Sequence, residues 1–222
     1  MAKVFLNAGH GGSDPGACAY GLKEKDINLV TMLACNEELV RHGVVTVMSR
    51  TTDVDETASE IIAEANSSGA DLAVSFHANA GGGDGFEGYY NAGNTDGKAL
   101  VLLCEKYVKE IGQNSRGAKT ANLFFTRDTS MTAVLLESFF LDHDADNDIG
   151  DTEAEQKAFG VAYAKAILEY FGIAYKPKTT KLYRVQIGAF SVRENAERTL
   201  DMAKMAGFTD AFIAEDSYGN LE

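Results

Sequence analysis

The sequence has no tryptophan, two prolines and three cysteines among its 222 residues. An odd number of cysteines without framework spacing argues against a disulfide scaffold, so reduced thiols and a reducing compartment of synthesis are expected. No apolar run is long enough to span a bilayer, which argues against membrane insertion. The N-terminus lacks a basic segment followed by an apolar one, so synthesis in the cytoplasm without a signal peptide is expected.

Positive charge is also scarce, because 20 lysines and arginines stand against 33 aspartates and glutamates. A phosphate backbone would repel the resulting net charge of -13, which argues against nucleic acid as a partner. Hydrophobic content of 45% and charged content of 24% are those of an ordinary globular protein. A chain of this length can hold one sizeable core and a small appended unit.

Strands alternate with helices over residues 1–175. Hydrophobic periodicity predicts strands at 3–8, 44–48, 70–76, 86–90, 122–126 and 133–140, and helices at 24–42, 55–66, 97–111 and 152–171. This alternation predicts an α/β domain with a mostly parallel central sheet and helices on both faces.

The last part of the chain has a different organisation. A polar, proline-containing stretch at 176–181 predicts a linker. Residues 182–222 then predict a small β-α-β unit, with strands at 183–190 and 211–214 and a helix at 194–205. Such a unit is too small to bury a stable core alone. The chain ends in Leu221-Glu222, a dipeptide common in cloning, so truncation after residue 220 and a natural end are both open.

Four side chains are predicted to meet at one edge of the sheet. His10 and His77 each follow an apolar strand directly, and parallel strands end at the same edge. Glu24 begins the helix that follows the first strand. Glu137 lies within an apolar strand, where a carboxylate is costly unless it is paired or used.

These residue types together suit metal-dependent hydrolysis. Two imidazoles and one carboxylate with an open fourth position form a catalytic zinc set, and a further carboxylate suits a general base. Taken singly, each histidine is more often structural than a metal ligand, and the alternative for Glu24 is a favourable charge at a helix N-terminus. In combination they favour His10, Glu24 and His77 as Zn²⁺ ligands and Glu137 as the catalytic base. The glycines on either side of His10 are expected to leave room around it.

Five segments carry a resemblance to a known family: 5–17 (FLNAGHGGSDPGA), 24–29 (EKDINL), 49–53 (SRTTD), 70–80 (ADLAVSFHANA) and 133–140 (AVLLESFF). They resemble, in family order, the motifs of zinc-dependent N-acetylmuramoyl-L-alanine amidases of the Amidase_3 type, which include phage endolysins and mother-cell lysis amidases. The resemblance covers residues 3 to about 171. Thr132 and Ile61 depart from the usual proline and arginine, which bears on packing or substrate contacts rather than on the metal.

The resemblance implies a peptidoglycan hydrolase that cleaves the amide between N-acetylmuramic acid and the L-alanine of the stem peptide. Zinc held by His10, Glu24 and His77 would activate water, and Glu137 would move the proton. The enzyme would act on the bacterial cell wall after release. Two alternatives remain open: a zinc peptidase acting on stem-peptide bonds, and a peptidoglycan-binding protein with a degenerate catalytic site.

The C-terminal segment resembles the first half of a sporulation-related (SPOR) repeat, notably in 183–190 (YRVQIGAF). That resemblance implies binding to the glycan strands of peptidoglycan. Because only one of two expected β-α-β units is present, two chains could pair their half-domains and form a homodimer.

An acidic loop follows the last predicted strand. Asp142 to Glu153 places carboxylates at the spacing of a calcium-binding loop, although asparagine stands where glycine is usual and a strand precedes it. The alternative is a solvated acidic loop in which Asp151 or Thr152 caps the following helix.

Overall fold

The computed structural model describes residues 1–178 and 185–215, and its fold confirms the predicted α/β class. The chain divides into two compact units, Met1–Lys176 and Pro177–Glu222. The strands are β1 (Lys3–Ala8), β2 (Cys18–Ala19), β3 (Leu22–Lys23), β4 (Val45–Met48), β5 (Leu72–Asn79), β6 (Phe86–Tyr90), β7 (Ser115–Thr120) and β8 (Thr132–Phe140). The helices are α1 (Glu24–Arg41), α2 (Ala58–Ser67), α3 (Thr95–Glu110), α4 (Phe124–Asp128), α5 (Asp144–Asn147), α6 (Glu153–Tyr170) and α7 (Arg193–Met205).

The main sheet has six strands in the order β4-β1-β5-β8-β6-β7. Its first four strands run parallel, β6 is antiparallel to β8, and β7 is parallel to β6. The central strands β5 and β8 are buried along most of their length, as their nearly continuous apolar sequences require. The carboxyl ends of β1, β5 and β8 therefore meet at one edge of the sheet.

The sheet separates two apolar layers. Side chains alternate between the faces along a strand, and Val134 and Leu136 of β8 pack into the larger layer with α1, α3 and α6. Ala133 packs into the smaller layer with α2 and α4. Glu137, four residues further on, projects from the same face as Ala133, so the polar end of β8 faces the side of the smaller layer.

The prediction of a strand at 122–126 is wrong. Residues Phe124–Asp128 form helix α4, which buries Phe125 in the smaller apolar layer. An apolar run this short does not distinguish a strand from a helix by its periodicity. The strand in this region is β7, whose polar sequence SRGAKT shows no apolar alternation and which forms the sheet edge by pairing with β6.

The C-terminal unit also departs from its prediction. Its helix is present as α7, but 185–190 and 211–214 form no strand. Tyr183 and Arg184, part of the linker at 179–181, and the terminal Leu221-Glu222 lie outside the described residues. Because a two-stranded pair is marginally stable by itself, a single half-unit does not hold its strands together. No helix among residues 1–178 and 185–215 is long and apolar enough to cross a membrane.

Candidate active site

His10 lies on a tight turn directly after β1. Its φ of 61° is in the left-handed region, which is uncommon and strained for a residue other than glycine. The turn is closed by paired backbone hydrogen bonds between Gly11 and Asp14, each 3.0 Å long. The carboxylate of Asp14 contacts His10 Nδ1 at 2.7 Å, which directs the opposite ring nitrogen, Nε2, towards Glu24.

Glu24, the first residue of α1, joins the two histidines. Its Oε1 lies 3.1 Å from His10 Nε2 and 2.9 Å from His77 Nδ1. The side chain is 7% exposed, and Oε2 accepts a hydrogen bond from Ala17 N. Burial alone would raise the pKa of Glu24, but the hydrogen bonds from His10 and His77 hold it well below its ordinary value. The carboxylate therefore faces both imidazoles in its ionised form.

The glycine before His10 is needed for a different reason from the one expected. A Cβ on Gly9 would lie 2.1 Å from Cε1 of the His77 ring, so the space beside β1 is occupied by the second histidine. The two imidazole rings stand edge to face, with centroids 5.2 Å apart and an interplanar angle of 81°. Gly9 thus permits the close approach that brings His10 and His77 together.

A buried arginine ties the His10 turn to α1. Arg50 is 3% exposed and donates to backbone carbonyl oxygens on both sides of the site: Ala8 O at 3.0 Å, Gly9 O at 3.2 Å and Lys25 O at 2.8 Å. Nearby, the carboxylate of Asp53 accepts from Lys25 Nζ and from the backbone of the turn. Arg50 and Asp53 therefore hold the turn that carries His10 and the helix that carries Glu24 in position.

Replacing Arg50 with glutamine should lower the free energy of unfolding by about 3 kcal/mol, because several buried carbonyl groups lose their donors. Chemical denaturation measures this loss. Arg127, whose guanidinium pairs with Asp128 at the surface, offers a matched control, and Arg127→Gln should change stability by less than about 0.5 kcal/mol. Equal losses in the two variants would contradict the role assigned to Arg50.

Glu137 stands beside the two histidines and Glu24. In the register of β5 and β8 it lies opposite His77, and adjacent strands are about 4.8 Å apart. Its Oε2 is buried and has no hydrogen-bond partner among the described residues. Burial, with a further contribution from Glu24, raises the pKa of Glu137 to about 7. A carboxyl group in this state can accept and release a proton near neutral pH.

The structure thus brings together all four predicted site residues. His10, Glu24 and His77 each offer a ligand atom, and these atoms lie within 4.8 Å of one another. Two nitrogens and one carboxylate oxygen make a donor set that suits zinc with one position open to water or substrate. The carboxylate of Asp14 contacts Nδ1 of His10, an arrangement that commonly orients histidines that bind metals.

Several carboxylates at the calcium-loop spacing in 142–153 have protein partners. Asp142 accepts hydrogen bonds from two backbone N–H groups of the glycine-rich loop after β5, and Asp146 accepts from a third. Glu153 instead pairs with Lys157 on the surface of α6. Asp142 and Asp146 therefore fix the neighbouring backbone, while Asp144 accepts a hydrogen bond from Tyr20 OH. Thr152 caps α6 with a reciprocal capping box, in agreement with the alternative prediction.

A second group of potential ligands has a structural explanation. Asp84, His143 and Asp146 also offer atoms within 4.8 Å of one another. Asp146, however, is 1% exposed and accepts hydrogen bonds from Gly85 N, Phe140 N and the Gln113 side chain. Its carboxylate is already engaged in holding the end of β8 against the loop after β5.

Sequence reasoning missed three charged residues near Glu137. Glu87 of β6 lies opposite Glu137 in the antiparallel register and is bonded by Arg116 and Lys119 of β7. The signal that identified Glu137, an acidic residue inside an apolar strand, is also present at Glu87. Arg116 and Lys119 gave no such signal, because β7 itself was not predicted.

Comparison with known proteins agrees with this geometry. The Amidase_3 profile, described as N-acetylmuramoyl-L-alanine amidase, matches residues 4–169, and the SPOR domain profile matches residues 162–220. The chain is 36% identical over 221 residues to the N-acetylmuramoyl-L-alanine amidase CwlM of Bacillus licheniformis, covering 98% of this chain and 87% of that protein. It is 41% identical over 149 residues to the endolysin of Bacillus phage SPP1, covering 63% of this chain and 55% of that protein.

A solved structure gives the same result for the fold. The catalytic domain of CwlV, an N-acetylmuramoyl-L-alanine amidase from Bacillus (Paenibacillus) polymyxa var. colistinus, superposes with a TM-score of 0.73 at 29% identity. The match covers 78% of this chain and 100% of that domain. The chain belongs to the Amidase_3 family of N-acetylmuramoyl-L-alanine amidases.

Proposed function

We propose that this protein hydrolyses the amide bond between N-acetylmuramic acid and the L-alanine of the peptidoglycan stem peptide, with Zn²⁺ held by His10, Glu24 and His77. The observation that carries the proposal is the convergence of these three ligand atoms beside the buried carboxyl group of Glu137. Membership of an amidase family supports the choice of bond.

The four side chains divide the chemistry between them. When bound, zinc would act as a Lewis acid towards the scissile carbonyl and would lower the pKa of the attacking water, so that the water loses a proton more readily. Glu137 takes the proton from the attacking water, because it lies opposite His77 and its Oε2 has no other hydrogen-bond partner among the described residues. The same carboxyl group then gives the proton to the departing alanine nitrogen. A single carboxyl group thus serves both proton transfers.

The new chain ends in digested peptidoglycan test this assignment. Amidase action should free L-alanine amino groups without producing new reducing sugars. A peptidase acting within the stem peptide would expose a different N-terminal residue, and a glycosidase would produce reducing ends. Either of these product patterns, or no products from zinc-loaded protein, would overturn the proposed activity.

Zinc binding should release a proton from His10. Hydrogen bonding to Glu24, reinforced by Asp14, raises the pKa of His10 to about 9 in the metal-free protein, whereas a metal ligand must be neutral. The apparent zinc affinity should therefore increase about tenfold for each pH unit between pH 7 and pH 9. Competition with a chelator at several pH values measures this slope. An affinity independent of pH over this range would contradict it.

We extend the proposal to the C-terminal unit. Val185, Ile187 and Met205 are exposed by 87%, 65% and 89%, and Phe208 by 64%, which leaves apolar surface on a unit too small for its own core. A second copy of this unit would cover that surface and give a homodimer that binds glycan strands. Multi-angle light scattering at high protein concentration tests this, and a purely monomeric mass would count against it.

We also propose that the enzyme reaches the cell wall after release from the cell that synthesises it. Its similarity to the endolysin of Bacillus phage SPP1 supports this route. Fractionation of producing cells before and after lysis tests it. Appearance of the protein outside intact cells would argue for secretion instead.

A further inference from the structure

A row of charged residues continues across the sheet beyond the four residues of the site. His77, Glu137 and Glu87 are register partners on β5, β8 and β6, so their side chains share one face. Lys119 of β7 follows on the same face, and Arg116 lies beside Glu87 where the register of β6 and β7 shifts. The row therefore runs from the metal ligands to the far edge of the sheet.

Glu87 anchors two cations within this row. Its side chain is 4% exposed, and Oε1 accepts hydrogen bonds from Arg116 Nε and Lys119 Nζ. Oε2 accepts from Tyr89 OH at 2.7 Å and from Asn79 Nδ2 at 3.2 Å. Because both oxygens are occupied by donors, Glu87 serves to hold its neighbours in place and is not itself available to a substrate.

The two cations retain donors that Glu87 does not use. Arg116 donates to Glu87 through Nε, and no hydrogen bond to Glu87 involves the four N–H groups of its two terminal nitrogens. The Arg116 side chain is 44% exposed and that of Lys119 34%, and the Arg116 guanidinium is held 5.4 Å from the centroid of the Phe140 ring. The group of Arg116, Lys119 and Glu87 carries a net charge of +1, and Asp84 is a further carboxylate near Arg116.

The position of Glu137 places the departing peptide on the side of Arg116 and Lys119. Glu137 must lie within hydrogen-bond reach of the departing nitrogen, so the peptide leaves from the Glu137 side of the metal ligands. The strand β7 lies two strands beyond β8 in the sheet, which corresponds to about 10 Å. Two extended residues span about 7 Å, and an arginine or lysine side chain covers the remainder.

We propose that Arg116 and Lys119, held by Glu87, form a subsite for a free carboxylate on the second residue of the peptide leaving group. In stem peptides this residue is a glutamate linked through its side-chain carboxyl group, and its α-carboxylate is either free or amidated. The subsite thus makes the enzyme selective for the non-amidated form. This inference rests on the proposed amidase function, because that function determines which part of the substrate leaves past Glu137.

A pair of soluble substrates tests the subsite. The full-length, zinc-loaded enzyme is given a muramoyl tripeptide with a free α-carboxylate on its second residue, and separately the same compound amidated at that position. Wild-type kcat/KM should be about 10- to 100-fold higher for the free acid, as expected for charge-assisted hydrogen bonds. Arg116→Gln and Lys119→Gln should each lower the ratio of kcat/KM for the acid to kcat/KM for the amide about tenfold, whatever either change does to turnover of both substrates through Glu87.

Lys109→Gln provides the matched control. Lys109 lies on α3, on the opposite face of the sheet, where it pairs with Glu105. This variant removes the same charge and should keep the wild-type preference for the acid.

The outcomes distinguish failure of the proposed amidase function from failure of the proposed subsite. If neither substrate is cleaved between the sugar and L-alanine, the proposed function itself fails. If the wild-type enzyme cleaves both at equal rates, the subsite is wrong while the amidase function stands. A preference that persists in both Arg116→Gln and Lys119→Gln overturns the assignment to these residues. The wild-type comparison remains decisive even where a variant does not fold.

Discussion

Replacing Glu137 with glutamine should lower kcat by about 100- to 10,000-fold while the protein still binds zinc. Glutamine matches the shape of the side chain but cannot take a proton from water. The two histidines and Glu24 contact one another without Glu137, so the donor set should remain intact. Release of L-alanine amino groups from peptidoglycan measures turnover, and elemental analysis of the dialysed protein measures bound zinc.

The same substitution should leave the fold at least as stable as the wild type. Burial raises the pKa of Glu137 to about 7, so in the metal-free protein its ionisation opposes folding at pH 8 and a neutral amide removes that cost. Glu110→Gln on α3 is the matched control and should retain full activity. Near-wild-type kcat in Glu137→Gln, or loss of zinc with loss of activity, would show that Glu137 is not the general base.

Glu24→Gln should have the largest effect on metal binding. The carboxylate of Glu24 receives hydrogen bonds from both histidines, and its charge supports the donor set. Changes to residues that only hydrogen-bond to a metal ligand reduce metal affinity by about 10- to 100-fold, so replacing a proposed direct ligand should weaken zinc binding by more than about 100-fold. Activity should fall to background at stoichiometric zinc and recover in part with excess zinc.

Asp26→Asn is the control for this second experiment. Asp26 is exposed in the same first turn of α1, so the variant removes a charge at that helix N-terminus without touching the histidines. It should keep wild-type zinc affinity. If Glu24→Gln binds zinc as tightly as the wild type, Glu24 is a structural hydrogen-bond acceptor and the third ligand must come from elsewhere.

The convergence of His10, His77 and Glu137 could be predicted from the sequence for a physical reason. Each lies in or just after a strongly apolar segment, and such segments become buried parallel strands in an α/β protein. Parallel strands end at one edge, so residues distant in sequence are brought together without any knowledge of their contacts. Glu24 joins them because the helix after β1 begins at that edge.

The local sequence pattern did not predict β7 and α4, because both elements depend on contacts with neighbouring elements. The polar segment of β7 forms a strand because β6 supplies its hydrogen bonds, and α4 forms where an apolar run packs beneath the sheet. The C-terminal unit shows the reverse: α7 forms from its own periodicity, while the flanking segments remain without strand structure. Local periodicity specifies a helix more completely than it specifies a strand.

The sequence by itself determined the fold class, the four residues that converge and the family whose motifs they share. Only the tertiary structure decided that the charged row passes from Glu137 to Glu87 and on to Arg116 and Lys119. It also decided that Gly9 makes room for His77 and that Arg50 binds the carbonyls around the site. The physical reason is that strand register and buried hydrogen bonds join segments far apart in the chain, and no local pattern records which of them will meet.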